Sequence, residues 1–242
     1  MRDYKVETER RIEFIQGVLK DSGAKGIVYG NSGGKDATLT GILCKLACEN
    51  TLGLMLPCGS GQNYGSDIDD AKAVAKQFGI DVRIVDLKET QEAVKSALSG
   101  AAELTDAALA NIAPRLRMTV LYAVAACEGR LVAGTGNRSE GYMGYFTKWG
   151  DGAFDFNPIA DLTVTEIYGF LSHLDAPRSI IEKAPSAGLF EGQTDESEMG
   201  IPYKRIDKFI LTGECTEADR AIIDRYHRTS EHKRFPAPAF DG

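Results

Sequence analysis

The sequence has no stretch that would cross a bilayer as a helix, for which about 20 consecutive apolar residues are needed. The ten residues Met118–Cys127, held between Arg117 and Glu128, fall well short. An export signal is missing too: Met1–Phe14 reads MRDYKVETERRIEF, with acids where such a signal has an apolar core. The chain is therefore expected in the cytoplasm, with no membrane partner. Cysteine is scarce. The five residues Cys44, Cys48, Cys58, Cys127 and Cys215 are odd in number and contain no C-x-x-C. That excludes a disulfide framework and leaves a structural zinc site short of ligands, so they read as reduced thiols. Positive charge is in deficit, 28 Lys and Arg against 35 Asp and Glu, for a net charge of −7. A protein that coats duplex nucleic acid carries the opposite balance, and no nucleic-acid partner is expected. Repeats, low-complexity tracts and linkers are also missing, so residues 1–242 read as one domain.

Hydrophobic residues make up 43% and charged residues 26%, a composition able to offset the entropy of folding. Strand and helix patterns alternate. Ile12, Ile15, Val18 and Leu19 recur at helical spacing between Tyr4 and Lys20, and Gly23 ends that helix. Lys25–Tyr29, Thr51–Pro57, Asp81–Asp86 and Arg130–Gly134 read as short strands. Asp36–Glu49, Asp67–Phe78 and Ala107–Glu128 read as helices, the last started or kinked by Pro114. Leu162–Leu174, Tyr203–Leu211 and Glu217–Glu231 are further helices, with His173 read as structural. The alternation predicts an α/β fold, a doubly wound parallel sheet with flanking helices. Thr135–Asp161 shows little periodicity, and a loop of that length inside a domain is usually functional.

Between the first strand and the helix after it stands Tyr29-Gly30-Asn31-Ser32-Gly33-Gly34-Lys35-Asp36. Glycines let backbone N–H groups close on an anion, and Ser32 adds a hydroxyl donor. The helix beginning near Asp36 turns the positive end of its dipole to the same place. These features predict a phosphate cradle. A Walker loop would need glycine at 29 and Ser or Thr at 36, and G-x-G-x-x-G does not fit either. An acid inside a phosphate loop repels the ligand unless a cation bridges them, so Asp36 points to magnesium.

Ser-Gly-Gly-x-Asp after a first strand resembles the signature of the N-type ATP pyrophosphatases. These enzymes split ATP between the α and β phosphates, adenylate an acyl or similar oxygen and release pyrophosphate. Further along, Asn111–Met118 (NIAPRLRM) resembles the N-x-x-x-R-x-R-M element of the NAD synthetases. Gly134–Glu140 (GTGNRSE) resembles their G-T-x-N-x-x-E segment, and Gly144–Gly152 (GYFTKWGDG) their G-(Y/F)-F-T-K-(Y/W)-G-D-G stretch. Pro185–Leu189, Gly192–Glu196 and Glu231–Arg234 continue the likeness in order, over Ile27–Phe240. On these residues the chain is similar to the ammonia-dependent NAD synthetases. It begins directly with the helix leading into the first strand, so no glutaminase domain is expected.

The resemblance implies a Rossmann-like fold and a two-step reaction. The nicotinate carboxylate of deamido-NAD attacks the α phosphorus of ATP; ammonia then displaces AMP from the nicotinyl adenylate, giving NAD, AMP and pyrophosphate. It also implies roles. Gly30, Asn31, Ser32, Gly33, Gly34, Lys35, Asp36 and Ala37 hold ATP, with Thr135 and Ser186 as further contacts. Asp36 and Glu140 are catalytic as ligands of Mg2+. Arg115, Lys148, Asp151, Asp155, His232 and Lys233 meet deamido-NAD. The family forms homodimers with deamido-NAD across the interface, and the apolar face Leu116, Val120, Tyr122, Val124 and Cys127 is the expected contact. Two positions depart from the commoner pattern: Ala37 stands where Ser is usual, and Val164 where a Lys reaches ATP phosphate. Lys35 and Lys183 are candidates to supply that charge. Two rival readings are another adenylating enzyme of the same loop class and a nucleotide-binding module with weakened catalysis.

Overall fold

A computed structural model of the chain describes residues 2–58, 64–182 and 194–240. Strands β1 (Gly26–Gly30), β2 (Thr51–Met55), β3 (Asp81–Ile84) and β4 (Arg130–Ala133) pair in the order β3-β2-β1-β4. All pairs are parallel, with Ile27 opposite Thr51 and Leu131, and Leu52 opposite Asp81. In chain order the helices are α1 (Tyr4–Ser22), α2 (Lys35–Ala47), α3 (Ser66–Phe78), α4 (Lys88–Leu98), α5 (Asp106–Ala110) and α6 (Ile112–Glu128). They continue with α7 (Arg138–Met143), α8 (Val164–His173), α9 (Arg178–Ile181), α10 (Asp195–Met199), α11 (Tyr203–Thr212) and α12 (Glu217–Thr229). Among the described residues no helix is long and apolar enough to cross a membrane.

The doubly wound arrangement follows from the alternation of β1. Ile27 and Tyr29 enter one apolar cluster with Leu39, Leu43 and Phe170; Val28 enters another with Leu52, Leu54, Ala125 and Val132. Both faces of the sheet are covered, which is why its central strands read as apolar runs. A third cluster, Met143, Val164, Ile206, Phe209 and Ile223, packs α7 against α8, α11 and α12.

Local chemistry sets the element ends. Asp3 caps α1 by accepting from the Lys5 and Val6 amides, and Gly23 closes it with φ +67°. Pro114 lies in the first turn of α6, where its missing N–H leaves no helical bond unmade, so it starts the helix rather than kinking it. Four helices, α4, α7, α9 and α10, were not legible from periodicity, and the stretch Ala107–Glu128, read as one helix, is divided at Asn111 into α5 and α6. In α4 the one buried residue is Gln91, so no apolar stripe marks it. The short α7, inside the long irregular segment, is nucleated by a capping box between Asn137 and Glu140.

The chain leaves β1 toward β2 and β3, while β4 lies on the other side of β1. The crevice beyond the carboxyl ends of β1 and β4 is therefore the topological switch point, where open α/β sheets bind ligands.

Candidate active site

Two loops flank that crevice. After β1, Gly33 takes φ +70°, and a Cβ there would stand 2.2 Å from the Asp67 carbonyl oxygen, so glycine is required. The amide of Gly33 donates to Asn31 Oδ1 (3.4 Å) and that of Gly34 to Ser32 Oγ (3.3 Å). Gly34 caps α2 without a side-chain bond, so the first-turn amides of α2 receive no cap from it.

After β4, Asn137 caps α7. Its Oδ1 accepts from the Glu140 amide and its own amide donates to Glu140 Oε2, both at 3.0 Å. Asn137 Nδ2 donates to Asp36 Oδ1 at 3.0 Å, so one buried asparagine links the two carboxylates. Lys35 Nζ donates to Asp36 Oδ2 at 2.7 Å and stands 5.7 Å from the centre of the Tyr203 ring. Burial and the charge of Asp36 hold the Glu140 carboxyl well above the usual carboxylate range, with Lys35 pulling the other way. For Lys35, burial opposes its charge, but Asp36 and Glu140 outweigh it and keep the ammonium firmly protonated. The Tyr203 hydroxyl donates to Asp195 at 3.1 Å; burial, Glu140 and Asp195 raise it.

The α7 helix is braced from behind. Ser139 Oγ donates to Asp207 Oδ1 at 2.5 Å, and Asp207 Oδ2 accepts from the Thr165 amide (2.7 Å) and hydroxyl (2.6 Å). All this lies behind Glu140, with Asp207 2% exposed.

A cavity of about 630 Å³ opens at the switch point, within the usual range for a ligand site. Of the residues singled out in the sequence, Gly30, Asn31, Ser32, Gly34, Lys35, Asp36, Ala37, Thr135, Glu140, Asp151 and Lys233 line it. Asp151 accepts from the Thr147 amide at 3.0 Å. It opens on the cavity but is crowded by protein elsewhere; this desolvation raises its carboxyl, against the pull of Lys233 and Arg117. Lys233 Nζ donates to the carbonyls of Gly144 (2.8 Å) and Phe146 (2.6 Å), and burial lowers its pKa.

Five expected residues, Gly33, Arg115, Lys148, Asp155 and His232, stand outside the cavity wall. Arg115 Nη2 donates to the Lys148 carbonyl (3.4 Å), and Lys148 Nζ donates to that of His232 (2.6 Å) and lies 5.4 Å from the Trp149 ring centre. Asp155 ties down β4: it accepts from the Val132 amide at 2.7 Å and the Tyr122 hydroxyl at 3.3 Å. Burial, with the Asp155 charge, pushes Tyr122 up to about 12. Ser186 and Lys183 lie outside the described residues. Val164 is buried in the third cluster. On α6, Leu116, Val120, Tyr122 and Val124 are half-buried against the sheet, while Cys127 is exposed.

Sequence reasoning passed over Arg117 and Asn137. Arg117 lines the cavity, donates through Nε to the Leu56 carbonyl (3.0 Å), and is lowered by burial. Two residues along a helix is about 200° of turn, so Arg115 and Arg117 face opposite ways, and that spacing was the available signal. For Asn137 the signal was Asn-x-x-Glu, a capping-box spacing.

Asp36 and Glu140 are hard oxygen donors that suit Mg2+, which keeps few protein ligands beside substrate phosphates. Among the described residues, no group of three or more His, Cys, Asp and Glu side chains is placed to hold a metal by itself.

A family profile described as NAD synthase matches residues 7–236. The NH(3)-dependent NAD(+) synthetase of Carboxydothermus hydrogenoformans is 44% identical over 235 residues, covering 96% of each chain. Among solved structures, NMN synthetase from Francisella tularensis superposes with a TM-score of 0.94 at 33% identity, covering 100% of both chains. The NH3-dependent NAD synthetase from Campylobacter jejuni gives 0.82 at 29% identity, covering 99% of this chain and 100% of that one. With the profile spanning nearly its whole length and the switch-point loops carrying the matching residues, the chain belongs to the NAD synthase family.

Proposed function

We propose that this protein amidates deamido-NAD with ammonia at the expense of ATP, giving NAD, AMP and pyrophosphate through a nicotinyl adenylate. The single observation behind this reading is the joining of Asp36 and Glu140 through Asn137 beside the glycine-rich loop, inside one cavity. A carboxylate must approach a triphosphate, and two anions meet only where positive charge is fixed in advance. The α2 N-terminus, Lys35, Arg117 and Lys233 supply it from three separate elements that line the cavity. Mg2+, held by Asp36 and Glu140, would neutralise triphosphate charge when bound.

In this reading Gly30–Ala37 hold the phosphates, with Thr135 and Ser186 beside the rest of ATP. Ala37 gives the wall a methyl group, and Lys35 provides the cation that Val164 lacks. Asp151 and Lys233 orient the nicotinate end of deamido-NAD, while Arg115, Lys148, Asp155 and His232 receive its far end at the rim. Trp149 is 60% exposed with φ +63°, an unfavourable backbone for a bulky residue, and Phe154 is 40% exposed. Such a rim suits a homodimer that covers the outer side of α6 and encloses the dinucleotide. The cytoplasm, where ATP and ammonia are at hand, is the setting.

One observation favours a second reading. The TM-score of 0.94 to an NMN synthetase suits the same chemistry on the nicotinate mononucleotide, which lacks the adenosine half that the rim would hold. The two separate in one assay with ATP, magnesium and ammonium, comparing kcat/KM for dinucleotide and mononucleotide acceptors. A higher value for the dinucleotide is expected. A higher value for the mononucleotide selects the second reading, and no AMP from either rejects both. Un-ionised ammonia is the nucleophile, so the rate with ammonium salts should rise with pH, and glutamine in its place should give no product.

A further inference from the structure

The cradle already contains a cation of its own. Lys35 Nζ holds Asp36 Oδ2 at 2.7 Å, with the side chains 6% and 16% exposed, while Asn137 Nδ2 holds Oδ1 at 3.0 Å. Both oxygens of Asp36 are thus engaged, and Glu140 Oε2 is taken by the Asn137 amide. The ammonium therefore compensates the Asp36 charge at the cavity wall, where little of either side chain is exposed. A divalent cation on the same carboxylates would stand against that ammonium at contact range, where like charges repel strongly.

We infer that Lys35 is an exchange cation: it holds the metal's place on Asp36 until nucleotide arrives, then turns its ammonium onto the phosphates as Mg2+ takes the carboxylates. The inference rests on the assignment of Asp36 and Glu140 as metal ligands. Three features support it. Lys35 begins α2 immediately after the glycine-rich loop, so its stem starts beside the phosphate position. Its side chain lines the cavity, so the space that would take the nucleotide is open to it. The lysine ammonium is a compact point charge on a flexible stem, suited to phosphate oxygens in more than one geometry. The consequence is coupling. Metal alone must displace the ammonium onto nothing, whereas metal with triphosphate gives it a new acceptor, so each ligand binds better with the other present.

The test is binding of Mn2+, counted as free ion by electron paramagnetic resonance, without nucleotide and with an α,β-methylene ATP that cannot release pyrophosphate. Wild type should bind Mn2+ weakly alone and roughly ten-fold more tightly with the analogue. Lys35→Met should bind Mn2+ alone more tightly than wild type, bind the analogue less well, and lose most of the coupling. Lys35→Arg, which keeps the charge, should retain coupling of the same sign. A purely structural lysine would give weaker binding of both ligands in Lys35→Met. Unchanged or weaker Mn2+ binding by folded Lys35→Met overturns the inference, as does wild-type binding of Mn2+ that ignores the analogue. Should Lys35→Met not fold, that wild-type comparison decides alone. Asp36→Asn keeps the two failures apart. If it binds Mn2+ with the analogue as wild type does, the metal assignment itself is wrong.

Discussion

The cradle and the rim of the cavity both carry charged groups but hold them differently. In the cradle, Lys35 holds Asp36, Asn137 ties Asp36 to Glu140, and Ser139 and Asp207 fix the helix behind them. At the rim, Arg115 and Lys148 rest on single carbonyls, and Trp149 and His232 face solvent. Fixed dipoles and charges are worth most where charge develops during reaction, because they need no reorganisation at that moment. Adaptable groups suffice where a ligand is only selected. On the proposed reading, chemistry belongs to the cradle and acceptor choice to the rim.

The largest expected effect breaks the cradle. Asp36→Asn and Glu140→Gln should each lower kcat by roughly 10²–10³-fold, with circular dichroism and melting close to wild type. Turnover within a few-fold of wild type at saturating magnesium would dissolve the distinction between the two regions. Next comes the brace. Asp207→Ala leaves the Ser139 hydroxyl and both Thr165 donors without their buried acceptor and should cost about 2–4 kcal/mol in urea unfolding. A loss under about 1 kcal/mol would mean that α7 is held by its apolar contacts instead.

Rim substitutions should split the kinetics the other way. Arg115→Ala or Lys148→Ala should raise KM for the dinucleotide about ten-fold while kcat changes little. Stability should stay within about 0.5 kcal/mol of wild type. Equal falls in kcat and kcat/KM would place these residues in the chemistry.

The smallest effect concerns the clasp that ties α1 to the approach to α8. Arg11 bonds Asp161 (2.8 Å) and the Pro158 carbonyl (2.5 Å), and Arg2 bonds Glu166 (2.8 Å). Burial alone would raise the Asp161 and Glu166 carboxyls. Arg11 and Arg2 for the first, and the Thr163 amide and Arg2 for the second, outweigh it and hold both below their ordinary values. An acid with a lowered native pKa adds stability that is whole above its unfolded pKa, about 4, and is lost as pH falls through the native value. The urea midpoint should therefore fall more steeply between about pH 5 and pH 3 in wild type than in Asp161→Asn. Parallel curves would show the clasp to be inert.

The sheet was legible because β1, β2 and the end of β4 are buried and the glycine-rich loop follows the first of them. The exposed β3 was legible from its flanks, Gly79 ahead of it and the neighbouring helix before that. What periodicity missed were elements fixed by hydrogen bonds rather than apolar stripes, α4 and α7 above all. At the site, the family resemblance paired Asp36 with Glu140 across 104 positions of sequence, and both follow strands that meet at the switch point. It did not separate Arg115 from Arg117, since which arginine turns inward depends on how α6 seats on the sheet. Nor did it reveal Asn137 as the link between the carboxylates, a contact that exists only once β1 and β4 are paired.

The most direct test labels the nicotinate carboxylate of the dinucleotide with heavy oxygen and follows the label by mass spectrometry in wild type, Arg115→Ala and Glu140→Gln, with ATP, magnesium and ammonium. If the cradle performs adenylation, one heavy oxygen passes into AMP in wild type and in Arg115→Ala at saturating substrate, and Glu140→Gln yields almost no AMP. Heavy oxygen in pyrophosphate instead of AMP, or labelled AMP from Glu140→Gln at close to the wild-type rate, would contradict it.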